Sequence, residues 1–373
     1  MHIPLVYIIP RVDDVENTTR FQRIFHLAKA YRLTVICMQS CEPPLKLSSK
    51  ARWVVYGGNK LLFPLWVMSV IKEGKYEAIL TSHLPISIVS GFLSRKVLRV
   101  PWVADMYDMP TLSSDTKLIS KLLFPVIDWA IGFCLRNTDH VLATLAQGAL
   151  SKYHIDEKKI SYFTNGTVVH PGNGGKSQRD FDERLTVLYV GHVLLIRGLD
   201  IIVDAAKLCI GHGVNLDWVL VGPSSKCDER WLQSKLKEHD LDNIRYVGAV
   251  AHKRALEYIK DADICLCPFK RTSGTEYIYP VKIFEYMDCG KAIVSTDLIG
   301  IRSIMTHDKD GILIAPDDAK ALADAVLRLA QDQELRLKLE KHCKESVVQY
   351  DWETIHCKIL NCLEGCFGTE QSN

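Results

Sequence analysis

Residues 277–294 read YIYPVKIFEYMDCGKAIV: a loop, a short helix, a glycine stop and a buried strand in succession. In the helical part, Val281, Phe284 and Met287 share one face, while Lys282, Glu285 and Tyr286 turn toward the helix mouth and flank. Gly290 supplies the left-handed backbone that ends the helix, and Ala292, Ile293 and Val294 form an apolar run of strand length. A helix start offers free N–H groups and the positive end of a dipole to an anion. Lys282 adds charge there, and Glu285, about one turn further in, can accept hydrogen bonds from the vicinal hydroxyls of a ribose. The stretch suits a nucleotide-sugar diphosphate. An ordinary amphipathic helix before a strand gives the same local pattern.

PVKIFEYMDCGKAIV also resembles the donor-site segment of the retaining, metal-independent glycosyltransferases with the GT-B fold (family 4, the group 1 transferases). The resemblance implies that Glu285 holds the donor ribose. The family has an earlier glutamate that touches the sugar. That place is Tyr277 here, and Glu276 lies one residue before it, where a loop bulge would restore it.

At 373 residues there is room for two domains, and 47% hydrophobic with 24% charged residues is the balance of a globular protein. A net charge of +2 gives no argument for nucleic acid. Residues 1–180 hold 22 Lys+Arg against 14 Asp+Glu, and the remainder 24 against 30. A basic first half fits an anionic partner such as a membrane surface or lipid phosphate, or simply uneven solvated faces. Twelve cysteines without CxxC spacing, and a chain opening directly into a strand, predict reduced thiols in a cytoplasmic protein and no zinc site. Residues 117–136 and 60–72 are apolar but too interrupted for the roughly 20-residue span a membrane needs. Each reads as a buried helix or as one lying on the cytoplasmic face of a bilayer, with Lys117, Lys121 and Arg136 on headgroups in the first case.

In chain order, strands are expected at 5–9, 33–38, 52–56, 77–81, 102–105 and 140–144, with a helix over 19–31. The loop 11–20 is acidic and lacks glycine, so only Thr18, Thr19 and Arg20 hold a position suited to a ligand. Residues 101–110, PWVADMYDMP, put Asp105, Tyr107 and Asp108 at a strand end, where open α/β sheets bind ligands. By resemblance Tyr107 occupies the place of a basic residue and Asp108 matches an aspartate of the cleft; a capped turn is the alternative. Asn165-Gly166 resembles the element that closes the family's first domain, and 171–182 reads as the linker.

The second half restarts the pattern, with strands at 185–190, 217–222, 243–248, 262–269 and 310–314. Gly191 and Gly198 bracket a strand-to-helix turn with Arg197 at the mouth of a helix over 199–212. This resembles the family's diphosphate-clamping turn: Arg197 stands for its lysine, and His192 for its arginine. Gly248, Ala249 and Val250 match the strand end that meets the nucleotide base, while Lys270 and Arg271 lie within reach of phosphate or on a solvated loop. Residues 350–364 resemble the terminal helix that crosses back to the first domain, and residues past 365 read as a tail.

The expectation is an α/β protein of two Rossmann-like domains facing a cleft: residues 1–170 for the acceptor, 183–349 for the donor, and the helix 350–364. The resemblance implies sugar transfer with retention from a nucleotide-sugar to a glycan or lipid-linked acceptor, with no metal or other cofactor. Donor candidates are Glu285, Lys282, Arg197, Gly191, His192, Glu276, Tyr277, Arg271 and Val250. Asp105, Tyr107 and Asp108 are the catalytic candidates. Other readings are a sugar-nucleotide epimerase, a non-catalytic partner subunit of the same fold, and a nicotinamide dehydrogenase, the last disfavoured by the missing G-x-G-x-x-G.

Overall fold

The structure, a computed structural model, describes residues 3–10, 18–38, 44–109, 118–170, 184–210, 212, 214 and 216–367; of residues 118–124 it describes the backbone alone. The acidic part of the first loop, the linker 171–182, Lys117 and the tail from 368 lie outside the described residues. The chain divides into two compact units, Met1–Asn165 with Trp352–Asn373, and Gly166–Asp351.

The first unit carries seven strands: β1 (Pro4–Ile8), β2 (Arg32–Met38), β3 (Arg52–Tyr56), β4 (Ala78–Ser82), β5 (Trp102–Met106), β6 (His140–Ala143) and β7 (Ile160–Tyr162). They pair in the order β3-β2-β1-β4-β5-β6-β7, every pair parallel. All five residues of β1, β4 and β5 are buried, which is why these strands read as apolar runs without alternation: helices cover both faces of a parallel sheet. Helix Thr19–Ala30 starts where the Thr18 side chain accepts the Phe21 N–H, and it packs Phe21, Ile24 and Leu27 into the core. Helix Trp352–Phe367 belongs to the same core through Trp352, Ile355, Ile359 and Leu363. It therefore runs past residue 365, where a tail was expected, because Gly365 stays helical.

The second unit has β8 (Leu185–Val190), β9 (Leu216–Val221), β10 (Ile244–Gly248), β11 (Ile264–Cys267), β12 (Ala292–Thr296) and β13 (Ile312–Ile314), in the order β10-β9-β8-β11-β12-β13. Each sheet is built outward in one direction, then resumes on the other side of its first strand. That reversal opens a crevice at the carboxyl ends of β1 and β4 in one unit, and of β8 and β11 in the other.

No helix among the described residues is long and apolar enough to cross a membrane. Helix Leu118–Arg136 holds Pro125 inside it and exposes Val126, Trp129 and Phe133, three and four residues apart and so on one face. The segment near residue 60 forms a turn capped by Asn59 and then helix Phe63–Gly74, with Leu61, Leu62 and Leu65 exposed.

Candidate functional site

The ladder between β8 and β11 pairs Val187 with Ile264 and Leu188 with Cys265, and then stops. Past that point Tyr286, from helix Val281–Asp288, takes over. Its hydroxyl accepts the Val190 N–H (3.0 Å) and donates to the Leu266 carbonyl (3.3 Å). Strands diverging at a switch point leave buried backbone groups that need partners, and a fully buried phenol supplies both. This corrects the expectation that Tyr286 flanks the helix mouth: the helix is buried almost all round, and Tyr286 bolts it to the sheet.

The same helix brings Lys282 over the Tyr189 ring, its Nζ 3.8 Å from the centroid, and within 5.0 Å of the Phe269 centroid. Arg197 lies over Phe269 from the other helix start, 4.6 Å from that centroid. Neither cation has a carboxylate within ion-pair distance among the described residues. Burial, with the Arg197 charge adding to it, pushes Lys282 down to about 8. His192 is likewise held below the ordinary imidazole range, first by burial, then by Arg197 and Lys282.

Two glycines make the close approach possible. A Cβ on Gly191 (φ +126°) would come 2.7 Å from Lys282 Nζ, and one on Gly198 (φ +87°) 2.0 Å from the Pro268 carbonyl oxygen. Gly198 caps helix Leu199–Cys209 and Pro280 precedes helix Val281–Asp288, and no side chain caps either start. Two uncapped helix starts and two cations without carboxylates thus meet at the ends of β8 and β11. Such a place suits an anion.

Glu285 lies one turn inside, largely buried, with its Oε1 2.7 Å from His252 Nε2. His252 opens helix His252–Asp261, directly after the loop of Gly248, Ala249 and Val250. A register shift between Tyr246 and Gly248, and φ +84° at Gly248, re-aim that loop. Nothing local in the sequence pointed to His252, because a charge partner 33 residues away is visible only in the fold.

Two of the remaining donor candidates pair with each other. Arg271 Nε donates to Glu276 Oε2 at 2.9 Å, so two residues expected to meet the ligand hold each other, with Tyr277 beside them. Lys270 is bonded to Asp200 at 2.6 Å.

In the first unit, Asp105 at the end of β5 is fully buried. It accepts from Tyr7 Oη (2.9 Å), Arg23 Nε (2.9 Å) and a second Arg23 nitrogen (3.1 Å). Its carboxylate is turned into the core rather than toward a ligand. Tyr107 is buried edge-on to His83, the rings 4.5 Å apart, with Arg20 over its face. Burial pushes the Tyr107 phenol well up and the His83 imidazole down to about 3. Asp108 alone of the three catalytic candidates is exposed, and it accepts the Met109 N–H at 2.8 Å. His83 was not picked from the sequence, although it directly follows β4 at the first unit's switch point.

Residues 184–332 match the family model described as "Glycosyl transferases group 1". The chain is 25% identical over 187 residues to the phosphatidyl-myo-inositol mannosyltransferase of Mycolicibacterium smegmatis, covering 50% of this chain and 46% of that one. It thus spans about half the length of the curated relatives it matches. Over its whole length it is similar to sucrose-phosphate synthase from Thermosynechococcus elongatus (TM-score 0.77, 18% identity, 99% of this chain and 100% of that chain). It is also similar to an Anabaena protein solved with UDP (TM-score 0.75, 17% identity, 97% and 100%). Residues 184–332 are thus related to the group 1 glycosyltransferases, and the chain as a whole has the GT-B fold.

Proposed function

We propose that the chain transfers a sugar from a nucleotide-sugar to an acceptor. The observation that carries this is the pair Lys282 and Arg197, held without carboxylate partners over one aromatic ring between two uncapped helix starts. A diphosphate neutralises both cations at once, whereas leaving them facing each other costs electrostatic energy. Glu285, next to His252 and about one turn inward, takes the ribose hydroxyls, and the Gly248 to Val250 loop meets the base. Gly191 lets the phosphates approach the backbone.

During transfer the bond from the anomeric carbon to the diphosphate oxygen breaks, and a bond to an acceptor hydroxyl oxygen forms. Charge collects on the leaving diphosphate, where Lys282, Arg197 and the helix starts stabilise it, so the reaction needs no metal. Asp108 positions the acceptor, a glycan or lipid-linked sugar, while Asp105 locked to Arg23 keeps the end of β5 in place. Retention of configuration and family relationship go together. A basic first half and the exposed Trp129 face support a membrane-bound acceptor.

A thermal-shift panel of UDP, GDP, ADP, CMP and dTDP sugars tests the reading. A ligand at a hundred times its dissociation constant adds about 2.7 kcal/mol to stability. If none of the five stabilises the protein, the donor assignment fails. The pairing of Arg271 with Glu276 favours one rival, a non-catalytic partner subunit. Such a chain would copurify with an active transferase and turn over nothing alone. An epimerase would convert its nucleotide-sugar with no acceptor present.

A further inference from the structure

In the first unit, at the amino end of β6 and away from the carboxyl ends of the strands, three ligating side chains converge. His140 opens β6, and Cys362 and Cys366 stand one turn apart on the last turns of helix Trp352–Phe367. One ring nitrogen of His140 and the two Sγ atoms all lie within 4.8 Å of one another, and all three residues are partly buried. His140 Nε2 is 3.5 Å from Cys362 Sγ. For ordinary zinc–nitrogen and zinc–sulfur bonds, the edge of a tetrahedron is about 3.6 Å, so this spacing is already that of two ligands on one ion. Ser161 Oγ from β7 marks a fourth corner, 2.9 Å from His140 Nε2 and 3.4 Å from Cys362 Sγ.

We propose that Cys362, Cys366 and His140 bind a thiophilic divalent cation, zinc in the first instance, and so clamp the end of the terminal helix to β6. Two thiolates and an imidazole form a soft donor set that selects zinc or cobalt over magnesium or calcium. Water or the Ser161 hydroxyl completes the tetrahedron. Binding displaces the thiol protons, so the site takes up metal as thiolates. The expectation of no zinc site rested on CxxC spacing, and this site needs none. Its ligands come from a strand and a helix 222 residues apart. The clamp belongs to the fold rather than to the transfer reaction, so it is independent of the donor reading.

The experiment uses the full chain, without an affinity tag, reduced and stripped with chelator, and then titrated with cobalt(II). Expected is one equivalent bound, with thiolate-to-cobalt charge transfer and the ligand-field bands of a tetrahedral site. Cys362→Ser, Cys366→Ser and His140→Gln should each weaken binding at least tenfold, while Cys227→Ser and Cys357→Ser leave it unchanged. Zinc should slow alkylation of Cys362 and Cys366 in the unmutated protein but not of exposed Cys227, a readout that survives if a variant fails to fold. No cobalt spectrum, a spectrum untouched by Cys362→Ser, or equal alkylation with and without zinc would overturn the proposal. So would a Cys362–Cys366 disulfide as the pair's only chemistry.

Discussion

Glu285 and His252 face each other at 2.7 Å, on two different helices and with the carboxylate nearly enclosed. The contact fixes the carboxylate's orientation and gives the proposed site a member that the sequence did not reveal. Replacing Glu285 by Gln keeps the shape and removes the charge. Affinity for the stabilising nucleotide-sugar should fall by about 1.5–3 kcal/mol, or roughly tenfold to a hundredfold. Calorimetry that finds unchanged affinity would remove Glu285 from the ribose. His252→Ala should lose less, because the carboxylate remains and only its orientation is relaxed.

Lys282 sets function against stability. Its pKa in the fold is about 8, below the ordinary 10.5, so between those values the unfolded chain holds a proton that the native one lacks. Stability therefore rises with pH across that window, and a buried ammonium costs energy at neutral pH. Lys282→Met should gain about 1 kcal/mol in urea unfolding at pH 7 and lose nucleotide binding. In the unmutated protein, affinity should decline above pH 8. A methionine variant that binds as tightly as the parent would contradict the diphosphate role.

The two glycines of the turn separate backbone cost from ligand cost. At Gly198 a methyl group meets the rigid Pro268 carbonyl at positive φ, so Gly198→Ala should cost at least about 1–2 kcal/mol of stability. At Gly191 the methyl group meets the flexible end of Lys282, which can swing aside. Gly191→Ala also carries the positive-φ cost, but it should weaken nucleotide affinity further by displacing the ammonium. Chemical denaturation and calorimetry on both variants check this. Equal affinity losses in the two would sink the distinction.

The first unit should weaken in mild acid. His356 is buried against His26, the rings 4.2 Å apart, and burial, then Arg23 and His26, hold it well below 6.5. His83 is held down to about 3. Below pH 6.5 the unfolded chain takes up protons that these rings refuse, so stability falls with pH, by up to about 1.4 kcal/mol per unit for each ring. His356→Leu should flatten that slope by up to one proton between pH 6.5 and 5. Urea titrations giving the same slope as the parent would show that His356 is not the group responsible.

Trp129, Val126 and Phe133 form one exposed stripe on helix Leu118–Arg136. The protein should float with anionic vesicles at low salt, less so at high salt, and Trp129→Ala should reduce the bound fraction severalfold. A chain that stays wholly in the aqueous fraction at low salt loses the membrane reading.

Much of the frame was legible because a parallel sheet buries both faces of its central strands: LTVLYV became β8 at the residues expected, while RWVVY, a part-exposed edge strand, became β3 through its β-branched and aromatic run. Gly191 and Gly198 were legible for a second reason, since only glycine tolerates their backbone there. Tyr286 was misplaced because helical spacing on one side says nothing about a sheet waiting on the other. Asp105 and Arg23 carried a faint signal, each a charge set in an apolar run. Their pairing across 82 residues was out of reach.

By itself, then, the chain of residues determined which stretches become strands and helices, though not their last residues, and that one late helix opens with a lysine and carries a glutamate a turn inside. Those are local matters of side-chain pattern and backbone freedom. Only the tertiary structure decided which charges are partnered. It gave Lys270 to Asp200, Arg271 to Glu276, Asp105 to Arg23 and Glu285 to His252, and left Lys282 and Arg197 sharing a ring. A charge's partner is set by distance in space, which the folded packing of distant elements alone fixes.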